Sequence, residues 1–344
     1  MPVSIIIPTH NMAGFLGLAI ESVLRQTHPD WDLHVVDDGS TDATARVIDE
    51  ATHAGLIRGV VYPERRGKAA VTNDLVDMAS GEILVVSDAT SMLEPGSLRA
   101  LVSNFSDPRV GCVSGIYRVV IRDRDGKAES EALYWRYETF IRYSEARLGR
   151  MLGAHGHIFA IRRELFEPLE VGTRNEDFIL PVAILMKGYR SIYDTRAVAW
   201  EDADEMTGFS RRISLATGNY QQIGLLWKRR GWLHHPFLLF QVLSHKVLRL
   251  LSPFLILSLY ASSVWLLATP LYGATSAAIT VFFIAALAGV NGQLRRRAGA
   301  WLGAPYYFCM VNAAGVLALH PTVRRQRLVA HKATARVREM DAHG

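Results

Sequence analysis

The chain has 344 residues, of which 49% are hydrophobic and 21% charged, and a mean hydropathy of +0.12. This composition is too apolar for an ordinary soluble enzyme. The formal net charge is +5, and the basic clusters at 228–230, 295–297 and 324–327 all flank apolar segments. Because basic residues beside apolar spans are typical of membrane proteins, the charge pattern favours a membrane over nucleic acid as partner. Two distant cysteines suggest neither a disulfide framework nor a metal site.

Apolar runs alternate with helical patterns in residues 1–105. The N-terminus starts directly with a strand and has no signal-peptide pattern, so we expect the first domain in the cytoplasm. Strands that alternate with helices indicate an α/β fold with a mostly parallel sheet. No GxGxxG follows a strand, which disfavours a dinucleotide-dependent dehydrogenase. The predicted strands are Val3–Pro8, Asp32–Asp38, Val60–Val61 and Ile83–Ser87, and the predicted helices are Leu16–Gln26 and Ala69–Ala79.

Several of these strands end in polar residues. Thr9 ends the first strand, the pair Asp37–Asp38 ends the second, and Asp88 follows the fourth. Right-handed crossovers place these ends at one edge of the sheet, where ligands of open α/β sheets bind. Lys68 starts a helix, a position that favours an anion. Carboxylates that can bind a nucleobase and a metal ion, together with a lysine that can lie near phosphates, predict a nucleoside-diphosphate site.

Four motifs in this order resemble family 2 glycosyltransferases, and the resemblance extends from residue 3 to about residue 222. It implies a GT-A fold, a nucleotide-sugar donor, and a divalent cation, Mg²⁺ or Mn²⁺. The motifs are Val3-Ser4-Ile5-Ile6-Ile7-Pro8-Thr9-His10-Asn11, Val36-Asp37-Asp38-Gly39-Ser40-Thr41-Asp42, Gly67-Lys68-Ala69-Ala70 and Ser87-Asp88-Ala89-Thr90.

The resemblance implies roles for individual residues in the donor half. Lys68 is expected near the diphosphate or the base, and Asp88 matches the first acid of the metal-binding DxD motif. The last acid of that motif is here Thr90. One carboxylate with water, another acid in its place, or weak metal binding would each account for this departure. A plain helix cap is the structural alternative for Asp88. The residues expected at the nucleoside are Pro8, Thr9, Asn11, Asp37 and Asp38.

The acceptor half, residues 106–230, is predicted to carry the base. A long helix is expected over Glu129–Leu148, followed by a small-residue turn in which His155, Gly156 and His157 line the acceptor pocket or serve the structure only. Asn175-Glu176-Asp177 resembles the family motif whose aspartate is the general base, so Asp177 is the expected base and Glu176 its neighbour in the acceptor pocket. The alternative is that these acids simply favour the dipole of a helix that they begin.

A strand is predicted over Tyr193–Trp200, followed by a solvated acidic turn over Glu201–Glu205. Processive synthases of the family carry Gln-x-x-Arg-Trp after this point, which falls here on Arg211–Leu215. Arg211 and Arg212 are expected to clamp the diphosphate, but the stacking tryptophan is replaced by leucine. The resemblance therefore implies one or few sugar additions rather than growth of a long chain.

The remaining chain is expected at a membrane. Residues 236–251 are predicted as an amphipathic interface helix, residues 252–320 as about three transmembrane helices, and residues 321–344 as a basic tail. Two spans would leave the arginines at 295–297 on the cytoplasmic side, whereas a third would place the tail outside, so the number of spans stays open. The expected spans are Pro253–Leu271, Ala274–Gln293 and Trp301–Leu319.

Together these features predict a multi-pass protein of the inner membrane with a cytoplasmic catalytic domain. The expected function is inverting transfer of a sugar, from a UDP-sugar in the first instance, to a lipid-linked or polysaccharide acceptor. Transfer to polyprenyl phosphate itself and a non-catalytic, nucleotide-sugar-binding subunit are the alternatives. Membrane lipids are expected partners, other polysaccharide-assembly proteins are left open, and nucleic acid is not expected.

Overall fold

The computed structural model describes residues 1–120, 140–202, 209–229 and 231–320. Within these residues one mixed sheet forms the centre of the N-terminal part. Its strands are β1 (Val3–Thr9), β2 (Trp31–Asp37), β3 (Arg58–Val61), β4 (Ile83–Val86), β5 (Met92–Leu93), β6 (Val110–Val120), β7 (Phe159–Arg162) and β8 (Arg190–Asp202). The helices around the sheet are α1 (Ala13–Leu24), α2 (Thr44–His53), α3 (Lys68–Met78), α4 (Ser97–Ser103), α5 (Glu176–Met186) and α6 (Phe209–Arg229).

The strand order is β3-β2-β1-β4-β7-β6-β8-β5. The pairs β3–β2, β2–β1, β1–β4 and β6–β8 are parallel, whereas β7 runs antiparallel to both of its neighbours and β5 antiparallel to β8. The predicted α/β fold with a mostly parallel sheet is therefore confirmed. Strands β1 and β4 are buried along their whole length, as expected when helices cover both faces of a sheet.

Two apolar clusters, one on each face of the sheet, form the core. Successive side chains of β1 alternate between them, so that Ile6 packs in one cluster and Ile5 and Ile7 in the other. Helices α3 and α5 contribute Leu75 and Phe178 to the cluster that contains Ile6. This sandwich fixes the carboxyl edge of the sheet, where Thr9 pairs with Asp37 and β4 leads to Asp88.

The C-terminal helices begin with one continuous helix, Pro236–Trp265, that includes a π-helical segment over Val242–Val247. The predicted interface helix and first span are thus one element. This helix and Pro270–Ala288 are long and apolar enough, by length and composition, to cross a membrane; no other described helix meets both conditions. The third expected span, Trp301–Leu319, corresponds to the helix Ala300–Ala318, which does not meet both the length and the composition condition. The labels are α7 (Pro236–Gln241), α8 (Leu248–Trp265), α9 (Pro270–Ala288), α10 (Gly292–Ala298) and α11 (Ala300–Ala318).

Helix α6 joins the two parts of the molecule. The Arg212 guanidinium carbon lies 5.2 Å from the ring centroid of Tyr307 on α11. At Gly218 of α6, a Cβ atom would stand 2.7 Å from Oδ1 of Asn175, the residue before α5. A small residue at 218 therefore allows α6 to approach α5 closely. Of the predicted helix at 129–148, residues 140–147 are helical and Leu148 lies in a turn. Residues 129–139, most of the acidic turn at 201–205 and the tail lie outside the described residues.

Candidate active site

The carboxylates of Asp37 and Asp38 hold two loops together at the end of β2. Asp37 is fully buried and accepts hydrogen bonds from the Ser40 N–H (3.1 Å) and hydroxyl. Asp38 accepts from the backbone N–H of Gly67 (2.9 Å) and that of Arg66. These N–H groups are the donors that two buried acids require. The pair thus ties the loop after β2 to the start of α3, and its contact with a nucleoside stays a prediction.

The loop after β1 is shaped by Asn11 and leaves Thr9 available to a ligand. Asn11 has a φ of 54°, and its side-chain oxygen accepts a hydrogen bond from the Thr41 N–H at 2.8 Å. Pro8 is buried beside Thr9. The Thr9 hydroxyl is buried and has no hydrogen-bond partner within the described residues. Because an unpaired buried hydroxyl is unfavourable, it is a candidate contact for a bound nucleoside.

Lys68 joins the donor and acceptor halves of the site. Its Nζ lies 2.7 Å from Oδ1 of Asp88 and 2.6 Å from Oε1 of Glu176. Lys68 is the first residue of α3 and Glu176 the first residue of α5, as both predictions placed them. Burial alone would lower the pKa of Lys68, but the two carboxylates raise it well above the ordinary lysine value. The lysine is therefore charged, and the cluster is a short ion-pair network.

Asp177 faces the same space as Asp88, with Gly156 between them. A Cβ atom on Gly156 would stand 3.4 Å from Oδ2 of Asp88 and 3.8 Å from Oδ2 of Asp177. Burial raises the pKa of Asp177, opposed by the positive charges of Arg142, Lys68 and Lys246. A carboxyl group whose pKa is raised toward neutrality is better suited to accept a proton than an exposed aspartate.

Burial also raises the pKa of Glu176, against the attraction of Lys68. Glu176 is only 2% exposed, so its carboxylate is stabilised by the ion pair with Lys68 rather than by solvent. Glu176 and Asp177 also stand in the first turn of α5, where the helix dipole favours negative charge. The two acids thus begin a helix, as the structural alternative expected, and their roles as base and acceptor contact stay predictions.

The two predicted acceptor histidines have different surroundings. His155 is 4% exposed, and its ring nitrogens lie 3.2 Å from the Tyr193 hydroxyl and 3.2 Å from the Arg142 guanidinium. Its ring is thus held by the protein, and its contact with an acceptor stays a prediction. His157 points toward the donor side, with Nδ1 3.7 Å from Oδ2 of Asp88.

Glu201 stands behind His157 and beside Thr90, a feature that the sequence did not indicate. Its Oε2 lies 3.3 Å from Nε2 of His157, and its Oε1 accepts a hydrogen bond from the Thr90 hydroxyl at 3.2 Å. The prediction of a solvated acidic turn is wrong for Glu201, which is 2% exposed. The physical reason is that β8 continues to Asp202 and carries Glu201 against the loop after β4. Only its pairing across the sheet reveals this position.

A divalent cation would find two protein ligands here. Within the described residues no three acidic, histidine or cysteine side chains converge as a metal site. Two ligands of one ion, with bonds of about 2.1 Å, lie roughly 3 Å apart, so Asp88 Oδ2 and His157 Nδ1 at 3.7 Å need only a small adjustment. The site therefore fits an ion that takes its other ligands from phosphate oxygens and water.

The two arginines predicted at the diphosphate lie at the start of α6. Arg212 is 8% exposed and stacks on Tyr307 of α11, so the structure places it against the C-terminal helices. The side chain of Arg211 lies outside the described residues. A diphosphate contact by either arginine stays a prediction.

Known proteins are similar to this chain in sequence and in fold. Residues 4–169 match the family described as glycosyl transferase family 2. The chondroitin synthase of Escherichia coli is 29% identical over 164 residues, 46% of this chain and 23% of that protein. The poly-beta-1,6-N-acetyl-D-glucosamine synthase of Staphylococcus epidermidis is 24% identical over 230 residues, 64% of this chain and 55% of that protein. The chain thus matches less than two thirds of the length of either relative.

A solved structure covers almost the whole chain. It is the mannosyltransferase PcManGT from Pyrobaculum calidifontis in complex with GDP-Man and Mn²⁺, which superimposes with a TM-score of 0.66 at 22% identity. The match covers 92% of this chain and 88% of that one. The similarity confirms the predicted GT-A fold.

Proposed function

Because residues 4–169 belong to glycosyl transferase family 2, we propose that the chain transfers a sugar from a nucleotide-sugar to a hydroxyl group of an acceptor. The observation that carries the proposal is the convergence of Asp88, Lys68, Glu176 and Asp177 at one edge of the sheet. These residues come from three separate places in the chain: the loop after β4, the start of α3 and the start of α5. Four charged groups in one place do not stabilise an apolar core. Transfer of a sugar from a nucleoside diphosphate, in contrast, requires a base for the acceptor hydroxyl and positive charge for the leaving diphosphate.

The proposed reaction is a direct displacement with inversion at the anomeric carbon. Asp177 accepts the proton of the acceptor hydroxyl as its oxygen bonds to the sugar, and the bond from the sugar to the nucleoside diphosphate breaks on the opposite face. Lys68 stabilises the negative charge that develops on the leaving diphosphate. Glu176 holds Lys68 from the acceptor side, which keeps the ammonium group between the two substrates.

We further propose that Asp88 and His157 hold a divalent cation, with Glu201 orienting the imidazole ring. Histidine ligands of metals commonly donate their second ring N–H to a carboxylate, and Glu201 occupies that place. An imidazole ligand suits first-row transition ions better than Mg²⁺, so Mn²⁺ is the expected ion. When bound, the ion supplies Lewis-acid stabilisation of the leaving diphosphate. Glu201 would then compensate for the missing second acid at Thr90.

We propose a UDP-sugar as donor and a lipid-linked or polysaccharide acceptor; the relatives support the polysaccharide acceptor. The relatives include synthases of chondroitin and of poly-N-acetylglucosamine, while the structurally similar mannosyltransferase holds GDP-Man. The two apolar helices support attachment to a membrane, and we propose that this is the inner membrane, with the catalytic domain in the cytoplasm. Other proteins of polysaccharide assembly are proposed as partners on the same grounds.

The test is nucleotide release by the purified full chain in lipid nanodiscs with membrane lipid extract. UDP- and GDP-sugars are compared as donors, with Mn²⁺ and with EDTA. We expect sugar-dependent release with at least one donor, and its loss in EDTA. Nucleotide binding without release under any of these conditions would contradict the proposal and favour the non-catalytic alternative.

A further inference from the structure

The π-helical segment Val242–Val247 is fixed onto the catalytic domain by polar contacts. His245 Nδ1 lies 3.0 Å from Oε1 of Glu145, and the side-chain amide of Gln241 donates to the backbone oxygen of Arg150 at 2.9 Å. Glu145 and Gln241 are both buried. π-Helical turns are rare inside α-helices and are frequently found at functional sites.

Lys246 reaches from this segment to Phe178, the residue after the proposed base. Its Nζ lies 4.7 Å from the ring centroid of Phe178, which directly follows Asp177. Arg142 approaches from the other side: its guanidinium donates to the Ala154 oxygen at 2.7 Å, and the Ala154 N–H donates to the backbone oxygen of Asp177, also at 2.7 Å. Two cations on separate elements thus lie close enough to Asp177 to act on its charge.

Without a bound acceptor, these two cations make Asp177 a weaker base. Positive charge near a carboxylate stabilises its ionised form and makes it a weaker proton acceptor, and the charges of Arg142 and Lys246 both lower the pKa of Asp177. An anionic group on the acceptor would neutralise this effect while it gains two charge-assisted contacts. The arrangement is therefore better suited to an anionic acceptor than to a neutral one.

The position of Lys246 along its helix indicates where the anion comes from. Lys246 lies four residues before Leu250, where the apolar part of the candidate span begins, or about 6 Å along the helix axis. The phosphate groups of lipids lie just outside the hydrocarbon region. On the proposed membrane placement, Lys246 therefore lies at headgroup level and, at the same time, against Phe178, the neighbour of Asp177.

We propose that Lys246 and Arg142 form a subsite for the phosphate or diphosphate of a lipid-linked acceptor. The subsite rests on the proposed function and narrows its acceptor to a glycolipid whose sugar hydroxyl lies close to the linking phosphate. Lysine binds phosphate as a point charge with several donors. The lipid chain would follow the helix toward the membrane while the sugar extends to Asp177.

Binding of farnesyl diphosphate to the full chain in detergent tests the subsite without any turnover. Thermophoresis is measured with saturating UDP and Mn²⁺, which fill the donor site. We expect Lys246→Met to weaken binding about tenfold or more, since one charge-assisted contact is lost, and Lys246→Arg to retain most of it. Lys228→Gln, which removes an exposed basic residue of α6, is the matched control and should bind like the unchanged chain.

Two further probes distinguish a lipid-linked phosphate from free diphosphate as the bound anion. Farnesol, which lacks the phosphates, and inorganic diphosphate, which lacks the lipid, should each bind at least tenfold more weakly than farnesyl diphosphate. Equal binding by the unchanged chain and Lys246→Met, with thermal unfolding unchanged, would overturn the subsite. Equal binding of inorganic diphosphate would overturn its assignment to a lipid. Because no sugar is transferred, these outcomes are independent of whether the nucleotide-release test succeeds.

Discussion

At the scale of single residues, charge pairing explains why acids can accumulate in this site. A buried carboxylate is costly unless it is paired, and Lys68 pairs with both Asp88 and Glu176. The motif order predicted that Lys68, Asp88 and Asp177 belong to one site, and the structure brings them close together. The motif order could not predict Glu201, because that residue reaches Thr90 and His157 only through strand pairing between segments distant in sequence.

Glu201→Gln should weaken Mn²⁺ binding. If Glu201 orients and polarises His157, the neutral amide should lower metal affinity by about 10- to 100-fold. Electron paramagnetic resonance of free Mn²⁺, titrated with protein in the presence of UDP, measures this directly. Glu170→Gln, at an exposed position, should leave the affinity unchanged. Equal affinities for Glu201→Gln and the unchanged chain would remove Glu201 from the metal site.

The rate of transfer should rise with pH through the raised pKa of Asp177. The base acts in its ionised form, so activity is lost as pH falls through that pKa, and the ascending limb should lie above the ordinary aspartate value of about 4. Arg142, Lys68 and Lys246 oppose the shift, and Asp88 adds to it. Lys246→Met removes one opposing charge and should move the limb of kcat to higher pH. The assignment of Asp177 as the base would be contradicted if the ascending limb did not move in Lys246→Met. It would also be contradicted if the limb lay at the ordinary aspartate pKa.

At the scale of elements, the alternation of strands and helices predicted the parallel half of the sheet. Strands β1, β2 and β4 follow the apolar runs closely, because they are buried on both faces. The antiparallel insertion of β7 was not predictable, since it depends on its pairing with β4 and β6. This insertion delivers the loop with Gly156 to the space between the donor and acceptor acids.

Gly156→Ala should reduce activity with little loss of stability. The backbone of Gly156 is not in the left-handed region, and the added methyl group meets the nearest atoms at 3.4 Å or more. It would, however, occupy the space between Asp88 and Asp177 that the reacting groups need. Steady-state kinetics and thermal unfolding separate the two effects. Gly17→Ala, with open space around it, is the control; full activity of Gly156→Ala would show that the reaction takes place elsewhere.

At the scale of the whole molecule, the continuous helix Pro236–Trp265 links the site to the apolar C-terminal part. Its amphipathic start and apolar end were predicted as separate elements because His245, Lys246 and Arg249 interrupt the hydrophobic pattern. The π-helical segment contains His245 and Lys246, and the helix continues through Arg249 without ending. Composition alone could not show this, because the contacts with Glu145 and Phe178 are tertiary.

The chain should remain in the membrane pellet after an alkaline carbonate wash. Leu255 and Ala278 lie in the two apolar helices, and a charge at the centre of a span costs about 2.5–3.5 kcal/mol. The double variant Leu255→Arg, Ala278→Arg should therefore shift protein to the supernatant. Leu18→Arg, on exposed α1 surface, should not. Recovery of the unchanged chain in the supernatant would exclude the spanning arrangement.

The most direct test of the account is sugar transfer by Asp177→Asn. Asparagine preserves size and hydrogen bonding but cannot accept the proton, so we expect transfer of radiolabelled sugar to membrane lipid extract to fall by about 10²- to 10⁴-fold, with UDP affinity unchanged. Asp49→Asn, an exposed aspartate of α2, should transfer at the normal rate. Normal transfer by Asp177→Asn would contradict the base assignment and favour an acceptor that is already an anion, such as polyprenyl phosphate.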